Sequence, residues 1–353
     1  MEHEEQINKI KGFIQNNDNF SIFYHLDCDG IISAALLTHV IETVGKSVSS
    51  YRPTNYEDFD GMDLSDYTKN IIVCDMQVRD SAIGVFSGGN LCVIDHHELM
   101  NADGIAYLNP KMWGDKTYTP CSLVVFRIFE DILKDYDWLA TVGLVADSGG
   151  KENADFVRSV ASRYNVLLKN DEYLYENDFG EIAGMIGSMT IMHGRRGADE
   201  ALGIAITSSS LKELMDDERL ASASNHVKTR MSELMERFEH EKETRDDFIY
   251  FFELGPDDKR YSSTVVTTMS FNEKYYGKIL VFMTRINAGL VRLNIRSNGT
   301  GVKLPVILRE IFKNIKGEGG GHDPAAGGSI EFADKEKFKM MFVKEVYKQL
   351  GRS

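Results

Sequence analysis

The chain has 353 residues, of which 42% are hydrophobic and 27% are charged, and its formal net charge is −14. This length favours two domains, and the composition is that of an ordinary globular protein. The acidic balance excludes a protein that coats long nucleic acid by bulk electrostatics, but it is compatible with a local basic groove. Because no apolar run approaches the roughly 20 residues that span a bilayer and no signal-peptide core is visible, we expect a cytoplasmic protein without membrane contact.

The first half of the chain alternates short apolar runs with helical patterns. An amphipathic helix is predicted over residues 1–17 and a second helix from Gly30 to about Val44. Buried strands are predicted at residues 21–24, 47–51, 71–74, 91–94 and 141–146, with a polar loop over 54–70 and a helix over Ser122–Leu133. Continuous apolar runs indicate strands that are covered on both faces, so the pattern predicts an α/β fold with a parallel sheet.

Four of these predicted strands end in acidic residues or histidines, which are His25, Asp27, Asp29, Asp75, Asp95, His96, His97 and Asp147. The stretch around His25 alone fits a polar turn with an N-cap aspartate equally well. Four acidic strand ends at one sheet edge, however, would repel one another without a counter-charge. The set as a whole therefore predicts a site for divalent cations.

Carboxylate oxygens with one or two imidazoles suit Mn²⁺ or Mg²⁺ better than Zn²⁺. The four cysteines show no paired spacing, so neither a disulfide framework nor a zinc knuckle is indicated. We hypothesise two ions that share Asp75, which stands alone at its strand end. Paired ions activate water and neutralise phosphate oxygens, which favours hydrolysis of a phosphoester or phosphoanhydride.

A helical region and a smaller domain follow. Residues 155–205 are predicted to be helical and include a basic turn, His193–Arg196, that either contacts nucleic acid or caps a helix. The predicted domains are 1–210, a connecting helix over 211–247, and a mixed α/β domain over 248–353. In the last domain we predict strands over Phe248–Glu253, Ser263–Met269, Lys278–Thr284 and Leu290–Ser297, a helix over Leu304–Ile315, and a final strand and helix.

The second domain carries a local positive charge. Residues 284–316 contain seven basic residues and one acidic residue, an excess of six positive charges. Arg292, Asn294 and Arg296 alternate, so they line one face of a predicted strand. The glycine run Gly319–Gly321 with His322 either brings bare backbone close to a ligand or is a flexible loop, and the basic residues either hold phosphate or form an ordinary positive surface.

The motifs HLDCDG, VCDM, VIDHH and GLVADS resemble the four motifs of the DHH phosphoesterase superfamily. RLNIRSNG followed by GEGGGHDPAAGG resembles the DHH-associated C-terminal domain of RecJ-type exonucleases, nanoRNases and cyclic-dinucleotide phosphodiesterases. The resemblance covers about residues 20–350. The spacing around His25 is similar to that of RecJ-like proteins, archaeal ones among them.

The resemblance implies roles for individual residues. The expected metal ligands are Asp27, Asp29, Asp75, His96 and Asp147, together with His25 on the RecJ-like spacing. His97 matches the group that contacts the scissile phosphate, and Asp95 is expected to orient the neighbouring imidazoles. The expected substrate-binding residues are Arg292, Arg296, Ser297, Gly320, Gly321 and His322.

The leading hypothesis is a two-metal exonuclease that hydrolyses single-stranded DNA or RNA to mononucleotides. The alternative is a phosphodiesterase for short substrates, which are nanoRNA oligonucleotides, cyclic dinucleotides or phosphoadenosine phosphate. A third hypothesis is a non-catalytic replication or repair subunit. The expected partners are single-stranded nucleic acid or short oligonucleotides, and a homodimer or a replication or repair protein is also compatible with the sequence.

Overall fold

Two units make up the chain in the computed structural model, which describes residues 2–86, 89–169 and 176–351. The first unit is Met1–Asn225 and the second is His226–Ser353. Among the described residues, no helix has the length and hydropathy that crossing a membrane would require.

The strands of the first unit are β1 (Phe20–His25), β2 (Val48–Thr54), β3 (Asn70–Cys74), β4 (Asn90–Ile94) and β5 (Ala106–Leu108). Its helices are α1 (Glu2–Asn16), α2 (Cys28–Thr43), α3 (Asp80–Ile83), α4 (Cys121–Ile128), α5 (Glu130–Leu133), α6 (Asp137–Ala146), α7 (Ala154–Tyr164), α8 (Asp178–His193), α9 (Arg195–Thr207) and α10 (Leu211–Met215). Helix α11 (Glu218–Glu241) crosses from the first unit into the second.

The described strands of the first unit form a parallel sheet in the order β2-β1-β3-β4-β5. Successive residues of β1 point to opposite faces, so Ile22 and Tyr24 enter the core formed with α2 and α6, whereas Phe23 packs with Phe59 on the other face. Because the strands are parallel, their carboxyl ends meet at one edge of the sheet. This edge holds the candidate site.

One predicted strand of the first unit is wrong. Residues 141–147 form the end of α6 and its C-cap, Asp147, rather than a strand. Every residue of α6 from Trp138 to Val145 is buried, so the run is apolar on all sides and its hydrophobic pattern has no helical period. A short apolar run cannot be assigned to helix or strand by periodicity alone. Asp147 nevertheless lies at the same edge as the strand ends.

The second unit contains β6 (Glu243–Arg245), β7 (Ile249–Leu254), α12 (Ser262–Ser270), β8 (Ile279–Arg285), β9 (Leu290–Arg296), α13 (Leu304–Ile311), β10 (Gly317–His322), β11 (Ala325–Glu331) and α14 (Lys335–Gln349). The strands form a mixed sheet in the order β10-β11-β9-β8-β7-β6, in which β7 and β8 are parallel and the other pairs are antiparallel. The predicted fold class, a parallel α/β domain followed by a smaller mixed α/β domain, is confirmed.

One local prediction in the second unit is corrected, and one alternative interpretation is excluded. Residues 263–269 are rich in β-branched side chains, which favours a strand, but they form α12 because Val265, Val266 and Met269 bury one helical face against the sheet. The glycine run is not a loop, since Gly317–His322 is the edge strand β10, paired with β11 from Gly317↔Ile330 to His322↔Ala325.

Candidate functional site

His25 and Asp27 connect the end of β1 to the start of α2. Asp27 is the N-cap of α2, and its Oδ1 accepts a hydrogen bond from the Gly30 amide at 3.0 Å. Its Oδ2 lies 2.8 Å from His25 Nδ1. Burial is the largest single effect and opposes both charges, but the hydrogen bonds and charges of the neighbouring groups, Asp75 included, together outweigh it, so the pKa of His25 rises to about 10 and that of Asp27 falls to about 2. Asp27 can therefore cap α2 through one carboxylate oxygen and remain a candidate metal ligand through the other.

Asp75 lies between two imidazoles just after β3. Its backbone has a φ of 59°, a left-handed conformation that aspartate tolerates better than most residues, while its amide still donates to the Ile94 carbonyl at 2.9 Å. Oδ2 is 3.7 Å from His25 Nδ1, and Oδ1 is 3.2 Å from His96 Nε2. The side chain is 1% exposed, and neither oxygen has a hydrogen-bond partner. Burial raises the pKa of Asp75 well above its usual range.

Asp29 is held at the N-terminus of α4. Its two oxygens accept hydrogen bonds from the backbone amides of Cys121, at 2.6 Å, and Ser122, at 3.0 Å. The positive end of the α4 dipole favours this carboxylate, but burial raises its pKa to about 6.

Asp147 is the C-cap of α6 and lies at the negative end of a helix dipole, whereas Asp29 lies at the positive end of one. Its Oδ2 is 3.5 Å from His96 Nε2. Burial raises the pKa of Asp147. A carboxylate in this position is stabilised by a nearby cation.

Asp95 and Asn109 hold His97, the second of the two histidines that follow β4. Asp95 is fully buried, and its Oδ1 is 2.7 Å from His97 Nδ1. Burial alone would lower the pKa of His97, but the hydrogen bond to Asp95 raises it. The side-chain amide of Asn109 donates to the His97 carbonyl at 3.0 Å and fixes the backbone of this turn. The ring of His97 remains 37% exposed.

Three overlapping groups of side chains can each hold a metal ion, and within each group the ligand atoms lie within 4.8 Å of one another. They are Asp75, His96 and His97; His25, Asp27 and Asp75; and Asp29, His96 and Asp147. None of these groups, which come from the described residues alone, contains a cysteine, and all four cysteines are buried thiols. The two Asp75 oxygens, which have no hydrogen-bond partner, and the Nε2 of His96, which lies 3.2 Å from Asp75 Oδ1 and 3.5 Å from Asp147 Oδ2, fit a hard divalent cation such as Mn²⁺ or Mg²⁺.

Tyr118 also belongs to this site, although the sequence analysis did not identify it. Its hydroxyl donates to Asp147 Oδ2 at 2.6 Å, and its ring lies edge-on to His96 with the centroids 5.3 Å apart. Tyr118 precedes α4 in an irregular loop, where no periodic pattern indicates the direction of a side chain.

The second unit carries a polar sheet face next to the edge strand. Strand register places one set of alternate residues of β9, β11 and β10 on the same face, and none of them is buried. We call this set the open face, and it consists of Leu290, Arg292, Asn294, Arg296, Ala325, Gly327, Ser329, Glu331, Glu318, Gly320 and His322. The predicted alternation of Arg292, Asn294 and Arg296 is confirmed.

The predicted substrate-binding residues differ in their surroundings. Arg296 donates to Thr267 Oγ1 on α12 from Nε at 3.2 Å and from Nη2 at 2.9 Å. His322 and Gly320 are exposed, and Gly321 faces the other side of β10. Ser297 is 2% exposed, and its hydroxyl lies 3.3 Å from the Asp323 carbonyl.

The positive charges of residues 284–316 are spread over several surfaces. Lys313 pairs with Glu310, and Lys316 pairs with Glu331. Arg285 lies over the ring of Phe332. Two of the seven basic residues, Arg292 and Arg296, are on the open face.

The basic turn of the first unit joins α8 to α9. Gly194 separates the two helices, Arg195 pairs with Asp58, and Arg196 pairs with Glu200 at 2.8 Å. These contacts favour the helix-capping interpretation of His193–Arg196, since both arginines already have acidic partners.

Two domain families match the chain. Residues 19–156 match the N-terminal domain of the DHH family, and residues 248–349 match the DHHA1 domain. A search of curated proteins found no match.

Solved structures share the fold at low sequence identity. RecJ from Thermus thermophilus in complex with Mn²⁺ is 15% identical with a TM-score of 0.70, over 98% of this chain and 54% of the RecJ chain. This chain therefore spans about half the length of that protein. An exonuclease RecJ bound to manganese is 16% identical with a TM-score of 0.65, over 96% of this chain and 92% of the other. CDC45 from Entamoeba histolytica is 10% identical with a TM-score of 0.61, over 97% of this chain and 98% of the CDC45 chain.

These comparisons agree with the architecture of both units. The DHH match contains β1, β3 and β4 with the acidic strand ends, and the DHHA1 match contains the mixed sheet. The chain therefore belongs to the DHH phosphoesterase superfamily and has a RecJ-like fold, with a DHH domain followed by a DHHA1 domain.

Proposed function

We propose that the protein is a metal-dependent phosphodiesterase that removes mononucleotides from single-stranded DNA or RNA. The observation that carries the proposal is the position of Asp75. Its two unpartnered oxygens face His25 on one side and His96 on the other. A buried carboxylate in this position is suited to contact two cations at once.

We assign one ion to His25, Asp27 and Asp75, and a second to Asp29, His96 and Asp147, with Asp75 contacting both. The resident metal is Mn²⁺ or Mg²⁺, which the RecJ structures bound to manganese support. When bound, such ions activate water as a nucleophile and neutralise the charge of a phosphate.

Side chains of both units orient the substrate. His97 contacts the scissile phosphate with an imidazole that Asp95 holds in one orientation. In the second unit, Arg292 and Arg296 bind phosphates of the strand, and Gly320 with His322 brings backbone and imidazole to the same open face.

The test incubates purified protein with end-labelled oligonucleotides of several lengths, in DNA and RNA form, with Mn²⁺ and with Mg²⁺. We expect mononucleotides as the product and no product after Asp75→Asn, with circular dichroism checking the fold of the variant. Failure to release mononucleotides from either end at any length would falsify this proposal.

A phosphodiesterase for short substrates is the second candidate, which covers nanoRNA, cyclic dinucleotides and phosphoadenosine phosphate. The open face offers only Arg292 and Arg296 as arginines, and a long strand generally needs more cationic contacts. Length dependence separates the candidates, because a rate that falls sharply beyond a few nucleotides supports the short-substrate enzyme.

The remaining proposals concern partners and location. The fold is shared with CDC45, but the acidic residues and histidines are assembled here, which favours an enzyme over a non-catalytic subunit. A replication or repair partner, a homodimer and a cytoplasmic location remain predictions.

A further inference from the structure

Two exposed aromatic rings lie on a short turn of the second unit. Phe271 is 73% exposed and Tyr276 is 63% exposed. The amides of Tyr275 and Tyr276 donate to the Asn272 carbonyl at 2.9 and 3.0 Å and close the turn. Tyr275 is 5% exposed and packs in the core with Phe238, so it anchors the segment. We call residues 271–277 the aromatic turn.

The aromatic turn is attached to the end of β9, the strand that carries the arginines of the open face. The Gly277 amide donates to the Asn298 carbonyl at 2.8 Å, and the Asn298 side chain donates to Ser270 Oγ at 3.0 Å. The ring of Tyr276 lies directly against Gly299, where a Cβ would come within 2.5 Å of the ring. The contact restricts the ring of Tyr276 before any ligand binds.

Phe271 is connected to Arg296 through α12. Thr267 and Phe271 are four residues apart, and Phe271 keeps a helical backbone as the C-cap, so the two side chains lie on the same side of the helix. Thr267 Oγ1 accepts two hydrogen bonds from the Arg296 guanidinium, whose Nη1 also donates to the Ile295 carbonyl at 2.9 Å. Phe271 therefore lies one helical turn from the residue that holds Arg296 in place.

We propose that Phe271 and Tyr276 form a subsite for unpaired nucleobases of a strand whose phosphates bind the open face. This inference rests on the proposed function and deepens it. Aromatic rings next to an arginine-bearing surface are the usual means of binding single strands without reading their sequence, because every base has a stacking face. The residues between the two rings in the sequence, Asn272, Glu273 and Lys274, are polar and exposed. The two rings alone are too small an apolar surface for a stable protein interface.

The experiment measures binding of a fluorescent single strand of about eight nucleotides by anisotropy, in EDTA, which prevents metal-dependent cleavage. The variants are Phe271→Ala, Tyr276→Ala and the double substitution. Tyr276→Phe keeps the ring, and Met340→Ala, which removes an apolar side chain 68% exposed on α14, is the matched control. We expect each alanine variant to weaken binding by at least about five-fold, and both controls to bind like the wild type.

Strands with abasic sites distinguish stacking from a structural effect. Abasic substitution at the bound position should weaken the wild type as much as the alanine variants do, and should have no further effect on the double variant. The inference is overturned if the double variant binds like the wild type, or if it retains the sensitivity to abasic sites. If the wild type releases mononucleotides while the double variant binds the strand normally, the proposed function stands and only this subsite is rejected. If the wild type neither binds nor cleaves single strands, the subsite and the proposed function are both rejected.

Discussion

The hydroxyl of Tyr118 donates a hydrogen bond to Asp147 Oδ2 over 2.6 Å, while the edge of its ring contacts His96. The same carboxylate oxygen lies 3.5 Å from His96 Nε2. One aromatic side chain thus contacts two members of a metal-ligating group. Tyr118 is therefore a positioning residue that holds Asp147 and His96 in a geometry ready for an ion.

We predict that Tyr118→Phe weakens Mn²⁺ binding about five-fold, because Asp147 loses a hydrogen bond worth roughly 1 kcal/mol. Isothermal calorimetry of the metal-free protein measures the change. Tyr164→Phe is the matched control, since Tyr164 donates to Asp137 at 2.8 Å outside the metal-ligating groups. Equal weakening in both variants, or none in Tyr118→Phe, would show that Tyr118 does not position a ligand.

We predict that Asp75→Asn abolishes metal-dependent stabilisation and activity but stabilises the metal-free protein by about 1–3 kcal/mol. In the absence of metal, Asp75 is a buried carboxylate whose oxygens have no hydrogen-bond partner, and the amide removes that charge. Urea unfolding in EDTA and in Mn²⁺ measures both effects.

Asp137→Asn is a matched control for Asp75→Asn, because we expect it to change the stability of the metal-free protein in the opposite direction. Asp137 is 2% exposed and accepts hydrogen bonds from Arg163 and Tyr164. Asp137→Asn weakens this partnered charge and should destabilise the metal-free protein. If both substitutions lower stability in EDTA, the interpretation of Asp75 as a carboxylate that needs cations is incorrect.

We predict that Mn²⁺ raises the melting temperature and that two ions bind per chain. Binding only to the folded state adds about 2.7 kcal/mol when the free metal is at 100 times its dissociation constant. Asp27→Asn and Asp147→Asn should each reduce the stoichiometry from two to one, because they belong to different metal-ligating groups. A wild-type stoichiometry of one in native mass spectrometry would contradict the two-ion assignment.

Most members of the metal-ligating groups were identified from the sequence as candidate site residues, because most of them follow an apolar run. A strand that is buried to its last residue, such as β3, leaves little freedom in where Asp75 lies. Asp147 was predicted for the same reason, as the end of a strand, but its run is a helix. Strand ends and helix ends both lie at the surface of an α/β core, so the wrong element still led to the right edge.

The contacts that the sequence could not predict depend on irregular backbone or on register between strands. Tyr118 reaches Asp147 from a loop without periodicity. Ser329 joins the open face only because β11 pairs with β9 in the register Ser329↔Arg292. A one-residue shift of that pairing would move Ser329 to the opposite face, and no local sequence signal specifies it.

Neighbouring glycines of β10 should respond differently to alanine. A Cβ on Gly319 would lie 2.5 Å from the Gly327 carbonyl oxygen and 3.1 Å from the Phe312 ring, whereas a Cβ on Gly320 meets nothing within 4 Å. Gly319→Ala should therefore destabilise the protein by about 1–3 kcal/mol through overpacking. Gly320→Ala should leave stability within about 0.5 kcal/mol of the wild type.

Gly320→Ala should instead weaken binding of single strands, because its methyl group projects from the open face and keeps a phosphate away from the backbone. Urea unfolding and anisotropy with a labelled strand measure the two properties separately. We expect Gly319→Ala to lose stability and Gly320→Ala to lose affinity for the strand, since successive residues of a strand face opposite sides of its sheet. Normal strand binding by Gly320→Ala would mean that substrate does not approach this surface of β10.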